Sequence, residues 1–164
     1  MIATALGSGL SPKAPGTAGS AVAVILMFLT RDWSSTALIL LWVALFFSGW
    51  WAALDWSRAH RSKDSQSIVI DEVLGYMIAM ATLPKATAIL WIQFALFRFF
   101  DVLKPPPIRQ LDRWGKGFPI GPIQSLGVIL DDLAAGLLAL ISFYLLKTVL
   151  ISTGLIESAW FAVS

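Results

Sequence analysis

The sequence predicts an all-α, polytopic helical membrane protein with about four to five transmembrane helices, and three observations carry that reading. Hydrophobic residues fill 57% of the 164 positions and charged residues only 13%, whereas an ordinary soluble domain carries about 25% charge; mean hydropathy is +0.77. The run 33–54 holds 22 residues without a charge, enough for a bilayer that takes about 20. Further charge-free apolar runs recur at 14–30, 73–84, 86–97, 118–130 and 133–146. The length allows one membrane-embedded domain over 1–164 and leaves no room for a separate soluble catalytic domain.

The first helix is expected over 17–30, after a glycine- and proline-containing segment that lacks the basic start and apolar stretch of a cleavable signal peptide. Arg31 and Asp32 mark a tight turn into the second helix, 34–54. A basic loop with Arg58, His60, Arg61 and Lys63 leads to the third, 69–83, and Pro84 with Lys85 turns the chain into the fourth, 87–103. The segment KPPPIRQLDRWGKGFPIGP, 104–122, is expected to be a proline-rich basic connection, and the fifth helix to run over 128–149. Both basic loops then share one side, which the positive-inside rule makes cytoplasmic. Trp33, Trp50, Trp51, Trp56 and Trp114 fall near helix ends and suit an interfacial belt, while Trp42 is assigned to packing or lipid contact.

A formal charge of +2 gives no support for nucleic-acid binding, and the absence of cysteine excludes disulfides, thiolate nucleophiles and Cys-ligated zinc. His60, the only histidine, sits among bases without a partner for a Ser-His-Asp triad. The carboxylates are more informative. Asp71, Glu72, Asp101, Asp131 and Asp132 lie at or inside the ends of apolar segments. Each would cost about 2.5–3.5 kcal/mol at a helix centre, and five unpaired would exceed typical net stability. In the five-helix arrangement all five reach the cytoplasmic face, with Asp131 and Asp132 at the start of the last helix. Clustered carboxylates repel and raise one another's pKa unless a cation neutralises them, and an all-oxygen donor set favours Mg²⁺ or Mn²⁺. Arg98, Asp101 and Lys104, spaced i, i+3, i+6, share adjacent parts of one helical face. Glycines and hydroxyl residues at 7–20, with Lys13 and Thr17, precede a helix and can cradle a phosphate, although GxxxxGK[ST] is absent.

Taken in order, GSGLSPKAPGTAGS at 7–20, IVIDEVLGYM at 68–77, FRFFDVLKPPPIRQLDR at 97–113 and GVILDDLAAG at 127–136 resemble bacterial phosphatidylglycerophosphatase A over nearly the whole chain. The resemblance implies Mg²⁺-dependent hydrolysis of phosphatidylglycerophosphate to phosphatidylglycerol and inorganic phosphate, a step of glycerophospholipid biosynthesis, at the bacterial cytoplasmic (inner) membrane. It places the family's acidic pairs on Asp71 with Glu72 and on Asp131 with Asp132, and its arginine, aspartate and lysine motif on Arg98, Asp101 and Lys104. Its glycine-rich segment falls on Gly7, Gly9, Pro15, Gly16, Thr17, Gly19 and Ser20. Asp64 to Ser67 depart from relatives that carry histidine there.

The mechanism this suggests is metal-assisted phosphomonoester hydrolysis. One or two Mg²⁺ ions would be held by a subset of Asp71, Glu72, Asp101, Asp131 and Asp132, Arg98 and Lys104 would neutralise the phosphate, and Lys13, Gly16, Thr17, Gly19 and Ser20 would position the head group. Direct attack by water and an aspartyl-phosphate intermediate both stay open, as does oligomeric state. A CDP-alcohol phosphatidyltransferase lacks its spaced DGxxAR motif here. A transporter would spread its acids across the bilayer depth.

Overall fold

The computed structural model describes Thr4 and residues 14–61 and 68–155. Among these the chain forms six α-helices and no strand: α1 (Pro15–Leu29), α2 (Ser35–His60), α3 (Ile70–Ala79), α4 (Thr87–Leu103), α5 (Ile108–Lys116) and α6 (Pro122–Ser152). Proline opens both α1 and α6, where its missing N–H costs no helical hydrogen bond and its fixed φ suits the first turn. Ser34 caps α2, its hydroxyl accepting the Ala37 N–H at 3.2 Å. At the other end of α2, Arg58 and His60 complement the negative pole of the helix. Lys104 closes α4 in the left-handed conformation, φ 44°, and the three prolines that follow cannot extend the helix.

α2 and α6, with 26 and 31 residues, are each long and apolar enough to cross a membrane; at 1.5 Å per residue they reach about 39 and 46 Å against a hydrocarbon core of about 30 Å. α3 has only 10 residues, about 15 Å of helix. It survives by being the central element, packed on α6, α1, α2 and α4, with Ile70, Val73, Leu74, Tyr76, Met77 and Ala79 all buried. The outer helices instead leave large apolar side chains exposed, among them Ile25, Leu29, Leu40, Phe47, Trp51 and Leu145, more apolar surface than water alone would leave uncovered, as at a membrane or partner contact. Trp33 and Trp114 are exposed at opposite ends, whereas Trp42 stacks on Phe46 at 5.4 Å. Trp56 stacks on His60 at 4.0 Å.

Four features differ from those expected. The second helix runs on to His60 rather than 54, so Arg58 and His60 belong to its last turn and not to a loop. The third helix ends at Ala79 rather than 83, because Ala81 and Leu83 donate to the carbonyls of Ile78 and Met80 and tighten the chain into turns before Pro84. The last helix starts at Pro122 rather than 128, so Asp131 and Asp132 lie about two and a half turns inside it, not at its start. The supposed connection contains α5. Within it Ile108, Leu111, Asp112 and Gly115 turn inward while Arg109, Gln110, Arg113 and Trp114 are exposed, an amphipathic helix of the kind that lies at an interface.

The contact that fixes the bundle is the crossing of α3 and α6. A Cβ on Gly136 would collide with the Gly75 carbonyl oxygen, and one on Gly75 with the Asp132 carbonyl and the Phe97 ring. Small residues let the two backbones touch, and each glycine sits one turn beyond an acid, Asp71 and Asp132. Above this crossing, the Tyr76 hydroxyl donates to the Leu90 carbonyl at 2.7 Å, tying α3 to α4 in a fully buried position. Tyr76→Phe is expected to lower stability by about 1 kcal/mol, read as a fall in the thermal unfolding midpoint in detergent.

Candidate active site

The starts of α1 and α3, the end of α4, the inner face of α5 and the tenth and eleventh residues of α6 surround a cavity of about 370 Å³. Six carboxylates and three cations line it: Asp71, Glu72, Asp101, Asp112, Asp131 and Asp132 against Arg98, Lys104 and Lys116. Opposite it, Lys85 donates to the Thr30 carbonyl at 2.6 Å and Thr82 meets Tyr144, so the helix ends alternate between a site end and a far end. Trp50 donates to the Pro122 carbonyl at 2.9 Å, which brings the basic end of α2 to the site end as well.

The carboxylates divide into two groups. Asp101 accepts Arg98 at 2.5 Å across one turn of α4, and Asp131 accepts Lys104 at 2.5 Å. Asp71, Glu72 and Asp132 engage none of the ion pairs among the described residues, although one oxygen from each lies within 4.8 Å of the others. Fully ionised, each such pair would repel by at least about 3 kcal/mol at an effective dielectric of about 20. Glu72 Oε2 is buried and has no hydrogen-bond partner. A hard divalent cation fits this trio: three charged oxygen donors, one of them otherwise orphaned. Of the wider set expected from sequence, Asp101 and Asp131 contact Arg98 and Lys104.

Lys104 is held from two sides, since its ammonium also reaches Asp112 Oδ1 at 3.0 Å. Burial works against its charge, but Asp131 and Asp112 outweigh it and raise the ammonium above the usual lysine range. For Asp112, burial favours the neutral acid, yet Lys116 and Lys104 prevail and lower it below the usual carboxylate range.

The glycine-rich segment divides too. Gly16 lines the cavity, and a Cβ there would run into Glu72 and stand 3.1 Å from Arg98 Nη1; its bare backbone lets α1 close on the acids. Thr17 is exposed and outside the lining. Gly19 packs on Val69, and buried Ser20 donates to the Gly16 carbonyl at 2.9 Å. These three build the start of α1 rather than the cavity wall. Lys13, Gly7, Gly9 and the segment 64–67 lie outside the described residues.

A family model described as phosphatidylglycerophosphatase A matches residues 1–147. The chain belongs to the phosphatidylglycerophosphatase A family. Relatives named phosphatidylglycerophosphatase A include one from Haemophilus influenzae, 35% identical over 90% of this chain and 87% of its own. Another, from Escherichia coli K12, is 32% identical over 85% and 77%. A Bacteroides thetaiotaomicron relative, 34% identical over 86% and 88%, carries a provisional name, phosphatidylinositol-3-phosphatase. No solved structure matches the chain. Among the residues that line the cavity, Asp112 and Lys116 are the charged ones that sequence reasoning did not single out. The inward spacing 108, 111, 112, 115 was the available signal, hidden behind three prolines.

Proposed function

We propose that this phosphatidylglycerophosphatase A family member hydrolyses phosphatidylglycerophosphate to phosphatidylglycerol and inorganic phosphate. The supporting observation is the trio Asp71, Glu72 and Asp132 within 4.8 Å beside the seated cations Arg98 and Lys104. The relatives' names converge chemically: phosphatidylglycerophosphate and phosphatidylinositol 3-phosphate are both diacyl lipids with a polyol, joined by a phosphodiester, that carries a terminal phosphomonoester.

The reaction is Mg²⁺-dependent in this reading. Six carboxylates against three cations leave the cavity a formal surplus of three negative charges, which would repel a phosphate unless metal is bound first. Asp71, Glu72 and Asp132 would hold the ion. Bound there, magnesium would polarise phosphoryl oxygens and offset the charge that develops on them. The chain supplies the rest. Arg98, held in place by Asp101, would offer the monoester the donors of its planar guanidinium, and Lys104, at the end of the same helix, would add a point charge. The open start of α1 at Gly16 gives the phosphate room. In the overall reaction a water oxygen bonds to phosphorus, the bond from phosphorus to the glycerol oxygen breaks, and a proton passes to that oxygen.

We place the chain in the bacterial cytoplasmic membrane as a multi-pass protein with the site facing the cytoplasm. α1, α2, α3 with its following turns, α4 and α6 form five traverses, and the site end carries Arg58, Arg61, Arg109 and Arg113, against Arg31, Lys85 and Lys147 at the far end. The short α3 is tolerated because its neighbours, not lipid, surround it.

The test is phosphate release by purified protein from phosphatidylglycerophosphate with Mg²⁺ and with EDTA. Release that EDTA abolishes and Mg²⁺ restores is the expected result. Undiminished release in EDTA would remove the metal, and no release from folded protein would remove the reaction.

A further inference from the structure

Resting on that reading, we infer that Lys116 of α5 forms a second anion subsite, which takes the lipid-proximal phosphodiester and so selects head groups carrying two phosphates. The geometry begins at Asp112. Its Oδ1 accepts Lys104 at 3.0 Å and Lys116 at 2.9 Å, so one carboxylate oxygen sets the two ammonium groups no more than about 6 Å apart, each within ordinary hydrogen-bond reach. The substrate has a matching span. Its phosphorus atoms are joined through a three-carbon glycerol, six bonds apart; three bonds of an extended chain cover 3.8 Å, and six reach up to about 7.5 Å.

The three cations are also graded in depth. Side-chain exposure rises from 19% at Arg98 to 30% at Lys104 and 40% at Lys116, so Lys116 stands nearest the cavity mouth. Its helix carries the aromatic pair Trp114 and Phe118, in edge contact at 5.2 Å, with Trp114 exposed as at a membrane interface. A diacyl lipid entering there presents its phosphodiester first and its terminal monoester deeper, beside Lys104 and Arg98. α5 is locked in this position by its crossing with α6, where a Cβ on Gly115 would lie 2.7 Å from the Gly127 Cα. Asp112 is then a positioning residue that spaces the two lysines.

The experiment compares wild type, Lys116→Gln and Lys116→Arg on phosphatidylglycerophosphate, with phosphatidic acid, which has a monoester and no phosphodiester, as substrate or competitive inhibitor. Lys116→Gln is expected to raise KM for phosphatidylglycerophosphate about tenfold with kcat little changed, the signature of lost uniform binding. KM or Ki for phosphatidic acid should stay within twofold, and Lys116→Arg should recover most of the loss. An equal effect on both lipids, or none on either, with active wild type overturns the subsite alone. A folded wild type that releases phosphate from neither lipid overturns the proposed reaction, and the subsite with it.

Discussion

Asp132→Asn is expected to lower kcat for phosphatidylglycerophosphate about a hundred- to a thousandfold while leaving the protein folded. Losing one pre-organised group that acts on developing charge typically costs this much, and here the loss also removes one of three oxygens that would hold the metal. The same variant carries an unusual stability signature. Asp132 is 5% exposed and within 4.8 Å of two other carboxylates, so without metal it is a source of repulsion, and the isosteric amide relieves it. Metal-free Asp132→Asn should therefore unfold at a higher temperature than metal-free wild type, and the stabilisation that Mg²⁺ gives the wild type should shrink. Thermal unfolding with and without Mg²⁺, alongside steady-state kinetics, reads both effects. Wild-type kcat in the variant would exclude Asp132 from the site, and a fall in metal-free stability would show that it is a structural acid.

The second large effect is expected from a residue that touches no substrate. Gly136→Ala puts a methyl group where α6 meets the Gly75 carbonyl, and backbone, unlike a flexible side chain, cannot step aside. Overpacking of this kind costs about 1–3 kcal/mol, and the rigid partner places Gly136→Ala at the upper end. Activity should fall with it, because the crossing that separates lies one turn from both Asp71 and Asp132. Detergent unfolding and phosphate release measured on one preparation check this. Unchanged stability would mean that α3 and α6 do not pack as closely as the glycine pair implies.

What the sequence revealed was governed by local chemistry. The span 34–54 and the acids at 71, 72, 131 and 132 stood out because charge is costly in an apolar run, so each departure from hydropathy carries information. A helix start was legible where a capping hydroxyl marked it, as at Ser34. The start of α6 was not, since 123–130 carries no charge and a helix there looks the same as an apolar loop. α5 was obscured for another reason: nine residues with four charges gain helical form only by docking on α6, a tertiary effect that no local window contains. The partition of carboxylates into cation holders and an unpaired trio was legible only in part: the i, i+3 spacing of Arg98 and Asp101 announces one ion pair, whereas the pairing of Lys104 with Asp131 is a contact between helices that no local window contains. The role expected for Gly19 and Ser20 gave way to packing, since a helix begins at Pro15 and turns them inward.

Lys104 holds its left-handed backbone, φ 44°, at a position where glycine would rest without strain. A non-glycine residue in that region costs about 1 kcal/mol or more, and selection for robustness alone would remove it. The ammonium is what the site gains in return. This end of α4 is thus a point where durability and turnover pull in opposite directions: a glycine would relax the turn and remove the ammonium that joins Asp112 to Asp131. Attempts to harden the protein by idealising its turns should pass over this one.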